Sequence, residues 1–463
     1  MSEGTGEGVI ERFAARATAL AERWMPDAFV FALVATVLVL VGAFVVDAGV
    51  RAEPLVLADA WGKGFWTLIP FTLQMSMIII SGYVLASSPP VARLIGWLAA
   101  RPRSARGAVA FVAVAAMLSS LLNWGFSLVF SALLARAVAR RVPSADYRAL
   151  AASGFLGLGT VWAQGLSGSA ALQMASPASM PEALKRIAEG GIPLTETIFR
   201  WNSVACVLIE IVVVTGVMWL AAPRVGKGAA ALGIDLGAGD EEPLPPAQVP
   251  GEWLEHRPYV ILPVVALGGI YLARSLAAKA TSLPSLLSGL DFNTINLFFL
   301  LLGALFHWTP ASLMRAVRQA TPAVWGVLLQ FPFYGGIFGV MTETKLSGTI
   351  ASWFVHAANP TIYPAFIVLY SALLGVFVPS GGSKWVIEAP YVLEAARSLG
   401  VPGGWIVVTY DLGEAIANLL QPFWMLPTLA LLGLRARDIM GYTYIVALVL
   451  IPLVVVLVTV FAP

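Results

Sequence analysis

Long apolar runs recur along the chain, and most are close to the length needed to cross a lipid bilayer. The hydrocarbon core is about 30 Å thick and a helix rises about 1.5 Å per residue, so a spanning helix needs roughly 20 mainly apolar residues. The runs that fit this description are 28–46, 65–86, 197–221, 258–276, 293–306, 323–341 and 441–461. The pattern predicts an all-α polytopic membrane protein.

Two further apolar stretches, 107–140 and 363–397, are interrupted in the middle by polar residues and glycines. The first is interrupted over 119–125 and the second over 379–385. Backbone that is not helical at membrane depth is tolerated only where protein buries it or where it lines a wet cavity. We therefore expect both stretches to be re-entrant helical hairpins. Similar polar interruptions at 165–169 and 418–422 predict two broken transmembrane helices.

The two halves of the chain carry these features in the same order. Pro70 precedes Trp124 by 54 residues, and Pro332 precedes Trp385 by 53. The sequence therefore predicts a first repeat over 28–222, with a cytoplasmic-side hairpin, and a linking helix plus a second repeat over 258–463, with an external-side hairpin. Inverted repeats with interrupted helices at matching places are typical of secondary transporters. Residues 223–257 are Gly-rich, then acidic and Pro-rich, which predicts a mobile cytoplasmic linker.

The distribution of positive charge predicts the orientation of the chain. With the N-terminus in the cytoplasm and both hairpins re-entrant, 18 Lys and Arg residues lie inside and 9 outside, as the positive-inside rule requires. No cleavable signal peptide is evident. Residues 1–27 carry an apolar helical face that includes Ile10 and Phe13, beside three arginines. They predict an interfacial amphipathic helix, with a solvated tail as the alternative.

Composition narrows the class of protein. The chain is 59% hydrophobic and only 12% charged, with a mean hydropathy of +0.83, whereas soluble domains are about 25% charged. This excludes an ordinary soluble enzyme, a disordered tail and a nucleic-acid binder. A single cysteine, Cys206, allows no intrachain disulfide and no cysteine-based metal site. No Walker loop is present, which argues against ATP as the energy source.

The interruptions offer groups that could bind ions. Hydroxyl and amide oxygens, with the carbonyls of opened helix ends, suit a hard cation such as Na⁺. Free N–H groups at half-helix N-termini suit a carboxylate. The candidates for cation or proton coupling are Ser119, Ser120, Asn123, Ser380 and Glu414. The alternative is that small residues at the breaks only allow close helix packing.

Lys384 is the strongest single candidate for a functional residue, because a charge inside a membrane segment costs about 3 kcal/mol on insertion scales. It could pair with a substrate carboxylate, or with Glu388 one helical turn along the chain. Glu414 could relay a proton or make a structural hydrogen bond, and for Glu210 a structural contact is favoured.

At these positions the sequence resembles the short-chain fatty acid transporter family, which transports acetoacetate and butyrate and belongs to the ion transporter superfamily. The resemblance covers nearly the whole chain. It rests on WMPD at 24–27, WGKGFW at 61–66, NWGF at 123–126, RRVP at 140–143, GLSGS at 165–169, NTINL at 293–297, QFPFY at 330–334, VPSGG at 378–382, QPFW at 421–424 and RDIMGY at 437–442. One departure is Ser383-Lys384, where the family carries Gly then His.

The resemblance implies a substrate held between hairpin tips and broken helices, and it makes a homodimer and an elevator motion expected. Transferred to this chain, the substrate-binding residues are Asn123, Trp124, Gly125, Ser167, Gly168, Ser169, Ser380, Gly381, Gly382, Ser383, Lys384, Trp385, Asn418 and Gln421. A short apolar tail would lie among Trp124, Phe126, Trp385, Phe331 and Phe333.

The resulting hypothesis is a secondary carrier in the bacterial inner membrane that moves butyrate, acetoacetate or acetate in symport with Na⁺ or H⁺. No cofactor and no enzymatic activity are expected. The Na⁺ alternative is favoured at this point, because oxygen ligands outnumber carboxylates at the breaks. A di- or tricarboxylate carrier of the same superfamily and a passive anion channel remain alternatives. An intramembrane enzyme using Ser383 and Lys384 is the weakest alternative, because no oxyanion partner can be named.

Overall fold

A computed structural model describes residues 28–188, 190–237, 244–279 and 282–462. All regular structure in these ranges is helical. The predicted interfacial helix over 1–27 and the acidic centre of the linker, 238–243, lie outside the described residues. The all-α class predicted from the apolar runs is confirmed.

The first half of the chain forms eleven α-helices within the described ranges. They are α1 (Ala28–Val46), α2 (Ala48–Ala52), α3 (Val56–Phe65), α4 (Ile69–Ala86), α5 (Pro89–Leu98), α6 (Ala105–Leu122), α7 (Trp124–Arg141), α8 (Tyr147–Gly159), α9 (Ser169–Met174), α10 (Glu182–Ile187) and α11 (Trp201–Ala221).

The second half forms twelve more in the part that the structure describes. They are α12 (Pro250–Glu255), α13 (Ile261–Lys279), α14 (Leu283–Ser288), α15 (Phe292–His307), α16 (Pro310–Ala320), α17 (Trp325–Glu343), α18 (Leu346–Ala357), α19 (Tyr363–Phe377), α20 (Gly381–Leu399), α21 (Gly403–Leu420), α22 (Met425–Leu432) and α23 (Ala436–Val460).

The length and composition of the helices agree with a polytopic membrane protein. Among the described residues, six helices are long and apolar enough to cross a bilayer, and the number rises to nine if each bent pair forms one span. The apolar windows of α1 and α13 bury only 11% of their residues inside the protein. Their exposed apolar surface would be unfavourable in water and is accounted for by contact with lipid.

Both predicted hairpins consist of two helices joined at a short break, but the breaks are shorter than predicted. Asn123 alone separates α6 from α7, and Val378–Ser380 separate α19 from α20. The expectation that the second break extends to Trp385 is wrong, since 381–385 form the start of α20. Pro379 ends α19 because the residue before a proline is disfavoured in helical conformation. The first break is also shorter than predicted, because Ser119 and Ser120 lie in the last turn of α6.

The two broken helices are also present. The helix α8 and the helical segment Trp162–Met174 meet at a bend of 41°, and α21 and α22 meet at 42°. The first break therefore begins earlier than 165, and Asn418 lies inside the last turn of α21 rather than beyond it. Nearly equal bends at corresponding places agree with the predicted internal repeat.

Helix packing is matched between the halves as well. The helix α1 packs on α17, and its counterpart α15 packs on α4. Likewise α3 packs on α17, and its counterpart α16 packs on α4. In the same way α6 contacts α8 and α11, and α19 contacts α21 and α23. These pairs are what an internal repeat predicts, while the opposite orientation of the halves in the membrane stays a prediction.

Part of the linker is held in place. Arg136 and Arg140 both donate to the carbonyl of Leu236, and the backbone N–H of Tyr147 donates to the carbonyl of Lys227. Residues 227 and 236 of the predicted linker are therefore hydrogen-bonded to the first half of the chain, with charged donors on α7 at Leu236. The mobility of the linker stays a prediction.

Candidate functional site

A small cavity lies where the second hairpin tip meets both broken helices. Its volume is about 30 Å³. Seven of the predicted site residues line it: Trp124, Ser169, Ser380, Gly381, Gly382, Glu414 and Asn418. The sequence analysis missed Met75, Leu158, Trp162, Val327 and Trp424 as lining residues and named Phe331 only as a neighbour of the tail. Trp424 could have been found, since it closes the QPFW motif beside a predicted break.

The second tip presents an open helix N-terminus to this cavity. Ser380 is the N-cap residue of α20, and its side chain makes no capping hydrogen bond. Instead its Oγ pairs with the Oγ of Ser383. The first amides of α20 therefore have no N-cap side chain to accept from them, and their partial positive charge is directed toward the cavity wall.

Two glycines allow this helix start to approach its neighbours. A Cβ on Gly382 would lie 2.7 Å from Cζ of Phe71 and 2.9 Å from Cβ of Ser169, and one on Gly381 would lie 3.1 Å from Oε2 of Glu414. Any side chain at Gly382 would therefore push the tip away from the first half of the molecule. The glycines keep the amides of α20 at the cavity.

The first tip is chemically different, because its helix N-terminus is capped by the protein itself. The Oδ1 atom of Asn123 accepts from the backbone N–H of Phe126 at 2.9 Å, and the Oγ atom of Ser167 accepts from that of Trp124 at 2.9 Å. Asn123 and Ser167 thus satisfy the orphan amides of α7. Neither of them, nor Gly168, lines the cavity, while Gly125 lines a larger adjoining vestibule.

The serines before the first tip make local hydrogen bonds. Ser119 donates to the carbonyl of Ala116 at 3.0 Å and lies 2.9 Å from the Oγ of Ser127. Ser120 donates to the carbonyl of Met117 at 2.8 Å. These contacts match the packing alternative for serines at the breaks, and neither serine lines the cavity.

The polar residues of the second broken helix join it to the first. Asn418 donates to the carbonyl of Leu158 at 3.1 Å, near the end of α8. Gln421 donates to Oδ1 of Asn418 at 3.1 Å and accepts from the backbone N–H of Phe423. Amide side chains therefore satisfy backbone groups that the two breaks expose.

Lys384 is buried and forms an ion pair that the sequence analysis did not anticipate. Its partner is Glu414 on α21, rather than Glu388 one turn along its own helix. Its Nζ also donates to the carbonyl of Ser371 at 2.8 Å and lies 5.2 Å from the centroid of the Tyr410 ring. Glu414 Oε1 accepts from Ser371 Oγ as well, at 3.3 Å.

Glu414 stands between Lys384 and the cavity. Glu414 lines the cavity, and Lys384 does not. Lys384 and Glu414 are 3% exposed each, so both charges are removed from bulk water. A buried pair of this kind is strongly destabilised when only one partner is removed.

Aromatic side chains form the remaining wall of the cavity. The ring centroids of Trp124 and Trp424 are 5.3 Å apart, and those of Trp124 and Trp162 are 6.2 Å apart. Trp424 is anchored by a hydrogen bond of 2.8 Å from Nε1 to the carbonyl of Pro379. Trp124, Phe331 and Trp424 also line the vestibule, whose volume is about 870 Å³, so they separate the two spaces.

The other aromatic residues predicted near the tail point elsewhere. Trp385 packs on Tyr410 at 4.6 Å, Phe126 stacks on Phe130 at 5.0 Å, and Phe333 contacts Phe29 at 5.0 Å. None of the three lines the cavity. Periodicity within a buried helix does not distinguish the face toward a cavity from the face toward another helix, so the sequence carried no signal for this difference.

Comparison with known proteins identifies relatives over the full architecture. A family model described as "Short chain fatty acid transporter" matches residues 9–462. Two relatives named "Putative short-chain fatty acid transporter" are similar over 441 residues and 94% of this chain. The one from Escherichia coli K12 is 37% identical over 95% of its length, and the one from Haemophilus influenzae is 32% identical over 96%.

Two solved transporter structures share the fold. The YdaH transporter of Alcanivorax borkumensis gives a TM-score of 0.58 at 15% identity, covering 94% of this chain and 98% of its own. MtrF of Neisseria gonorrhoeae, described as one of a class of antimetabolite efflux pumps, gives 0.60 at 14% identity, covering 96% and 97%. At such identity the likeness concerns architecture alone.

Proposed function

The chain belongs to the short-chain fatty acid transporter family, and from this membership and the cavity we propose that it carries short-chain monocarboxylates by cation symport. Butyrate, acetoacetate and acetate are the proposed substrates, and Na⁺ or H⁺ is the proposed coupling ion. Membership of this family supports a function in transporting short-chain fatty acids across a membrane. The carrier is a multi-pass membrane protein and not an enzyme.

The observation that carries the proposal is the uncapped N-terminus of α20 at the wall of an aromatic cavity. A helix N-terminus bears roughly half a positive charge and offers N–H donors, which suits one carboxylate. Gly381 and Gly382 leave the space for that approach. The capped N-terminus of α7 offers no such opening, so the proposal places one anion at the second tip.

The aromatic wall suits a short apolar tail. A cavity of about 30 Å³ has room for one or two water molecules. A substrate therefore has to displace a side chain, and Trp424 is one of the three aromatic residues that separate the cavity from the vestibule. The limited space favours acids with short tails over longer ones.

Charge argues against the di- or tricarboxylate alternative. Among the described residues at the cavity and directly behind its wall, Lys384 is the single cation, and it is already paired with Glu414. A second substrate carboxylate would be desolvated without a partner, which is strongly unfavourable.

The test is counterflow with purified protein in proteoliposomes. Vesicles loaded with unlabelled butyrate should transiently accumulate labelled butyrate, whereas a passive channel would only equilibrate it. Unlabelled acetate and acetoacetate should compete for uptake. Stronger competition by succinate or citrate than by butyrate would refute the proposed substrate class.

We also propose the cytoplasmic membrane of a bacterium as the location, with the N-terminus inside. On that topology the vestibule opens to the cytoplasm, because it is lined by the beginning of α17 and the end of α22. A homodimer is proposed from the family resemblance. Light scattering on the protein in detergent tests this by measuring the mass of the protein complex.

A further inference from the structure

A carboxylate bound in the cavity would repel the negative charge of Glu414. In the empty state Lys384 and Glu414 neutralise each other. A monocarboxylate beside Gly381 would lie near Oε2 of Glu414, since a Cβ at this glycine is already within 3.1 Å of that atom. Two buried carboxylates would then share one ammonium group, and like charges this close disfavour joint ionisation.

We infer that Glu414 takes up a proton when substrate binds, so that it no longer neutralises Lys384 and the charge of Lys384 becomes the counter-charge of the substrate carboxylate. This inference rests on the proposed function and specifies its coupling ion. The empty site holds Lys384⁺ and Glu414⁻, and the loaded site holds Lys384⁺, protonated Glu414 and one carboxylate⁻. Both states are neutral, so one proton enters with each monocarboxylate.

The hydrogen bonds around the pair fit this exchange. Glu414 Oε1 faces Lys384 and Ser371, while Oε2 is the oxygen directed toward Gly381 and the cavity. A proton on Oε2 would leave the Ser371 contact intact. Lys384 retains the carbonyl of Ser371 and the Tyr410 ring when Glu414 is neutral, so its ammonium group is not left without partners.

Three of the residues whose oxygens first suggested Na⁺, namely Ser119, Ser120 and Asn123, do not line the cavity. Ser119, Ser120 and the Oδ1 of Asn123 make hydrogen bonds to their own helices. Ser380 is the remaining coupling candidate, and its hydroxyl pairs with that of Ser383. Glu414 is the candidate that lines the cavity and also carries a charge.

Other titratable groups surround Glu414 and must be separated from it by the test. Glu388 on α20 and Tyr410 and Asp411 on α21 interact with Glu414 directly, while Tyr391 on α20 and Tyr370 on α19 interact with Glu388.

The test measures the half-saturation of butyrate counterflow at equal internal and external pH, between about pH 6 and pH 8. Butyrate is ionised throughout this range, and equal pH removes accumulation by passive permeation of the free acid. If one proton binds with each butyrate, the apparent affinity should fall by up to about tenfold for each unit by which the pH rises. The fall should be the same with and without Na⁺.

The variant Glu414→Gln imitates the protonated state. It should retain counterflow, and its half-saturation should not change with pH. Glu210→Gln makes the same change at a buried glutamate on α11, outside the site, and should keep the wild-type slope. Glu388→Gln and Asp411→Asn should keep it as well.

A wild-type affinity that is constant across this pH range would overturn the inference, as would a Glu414→Gln slope equal to that of wild type. A strict requirement for Na⁺ would also overturn it. If wild type shows no counterflow of butyrate at all, the proposed function fails instead. If Glu414→Gln does not fold, the inference still requires a pH slope in wild type that Glu388→Gln and Asp411→Asn both keep. Loss of that slope in either variant would overturn it.

Discussion

Gly382 provides a sharp test of the site, because a single methyl group there should move the N-terminus of α20. In Gly382→Ala the new Cβ would lie 2.7 Å from Cζ of Phe71, about 0.7 Å inside the 3.4 Å at which ordinary contact begins. Phe71 is fully buried and stacked on Phe331, with ring centroids 5.5 Å apart. The aromatic wall has little freedom to yield, so the helix start should withdraw.

The magnitude follows from the cost of overpacking, which is typically about 1–3 kcal/mol. If half of this appears in substrate binding, butyrate affinity falls by roughly 2- to 12-fold, since 1.4 kcal/mol corresponds to a factor of ten. The remainder should appear as a lower melting temperature of the purified protein.

The assay is counterflow half-saturation for butyrate, with thermal stability measured on the same preparations. Gly348→Ala is the matched control, because a Cβ at this helical glycine meets no heavy atom within 4 Å. It should leave affinity unchanged and stabilise α18 slightly. Unchanged half-saturation in Gly382→Ala, with normal stability, would refute the placement of the carboxylate at this helix end.

Three further variants test other parts of the site. Trp424→Ala opens the wall between cavity and vestibule, so hexanoate and octanoate should compete with butyrate far better than in wild type; unchanged chain-length selectivity would contradict the role of Trp424. Lys384→Gln should weaken butyrate binding by tenfold or more and also destabilise the protein, because it leaves Glu414 buried without a partner; unchanged affinity would reduce Lys384 to a structural role. Asn123→Ala should lower stability by about 1 kcal/mol through the lost N-cap, and a specific loss of Na⁺ stimulation at unchanged stability would restore Asn123 as a cation ligand.

The architecture was largely predictable because apolar length and polar interruption are properties of sequence alone. The runs around 28–46 and 441–461 are long enough to identify as helices without knowing their partners. The interruptions at 165–169 and 418–422 also required no knowledge of packing. The exact limits of a break did require it, as in the second hairpin, where the sequence predicts Gly381 and Gly382 as part of the break and they nevertheless begin α20.

The partners of the buried polar groups were not predictable from spacing. Glu388 lies one turn from Lys384 and is the natural partner along a helix, whereas Glu414 is 30 residues away and comes into contact only through the packing of α20 against α21. The orientation of Trp385 away from the cavity is set by the same contact, since its ring lies on Tyr410.

The predicted internal repeat would give two similar tips, and the side chains around them make the tips unequal. Repetition of the fold alone would place an open helix N-terminus at each tip and so predict two anion sites per chain. Asn123 and Ser167 supply the acceptors at the first tip, whereas Ser380 turns toward Ser383 at the second. The ion pair of Lys384 and Glu414 also lies at the second tip alone. The difference between the tips therefore explains why one monocarboxylate, bound in one orientation, is the expected load.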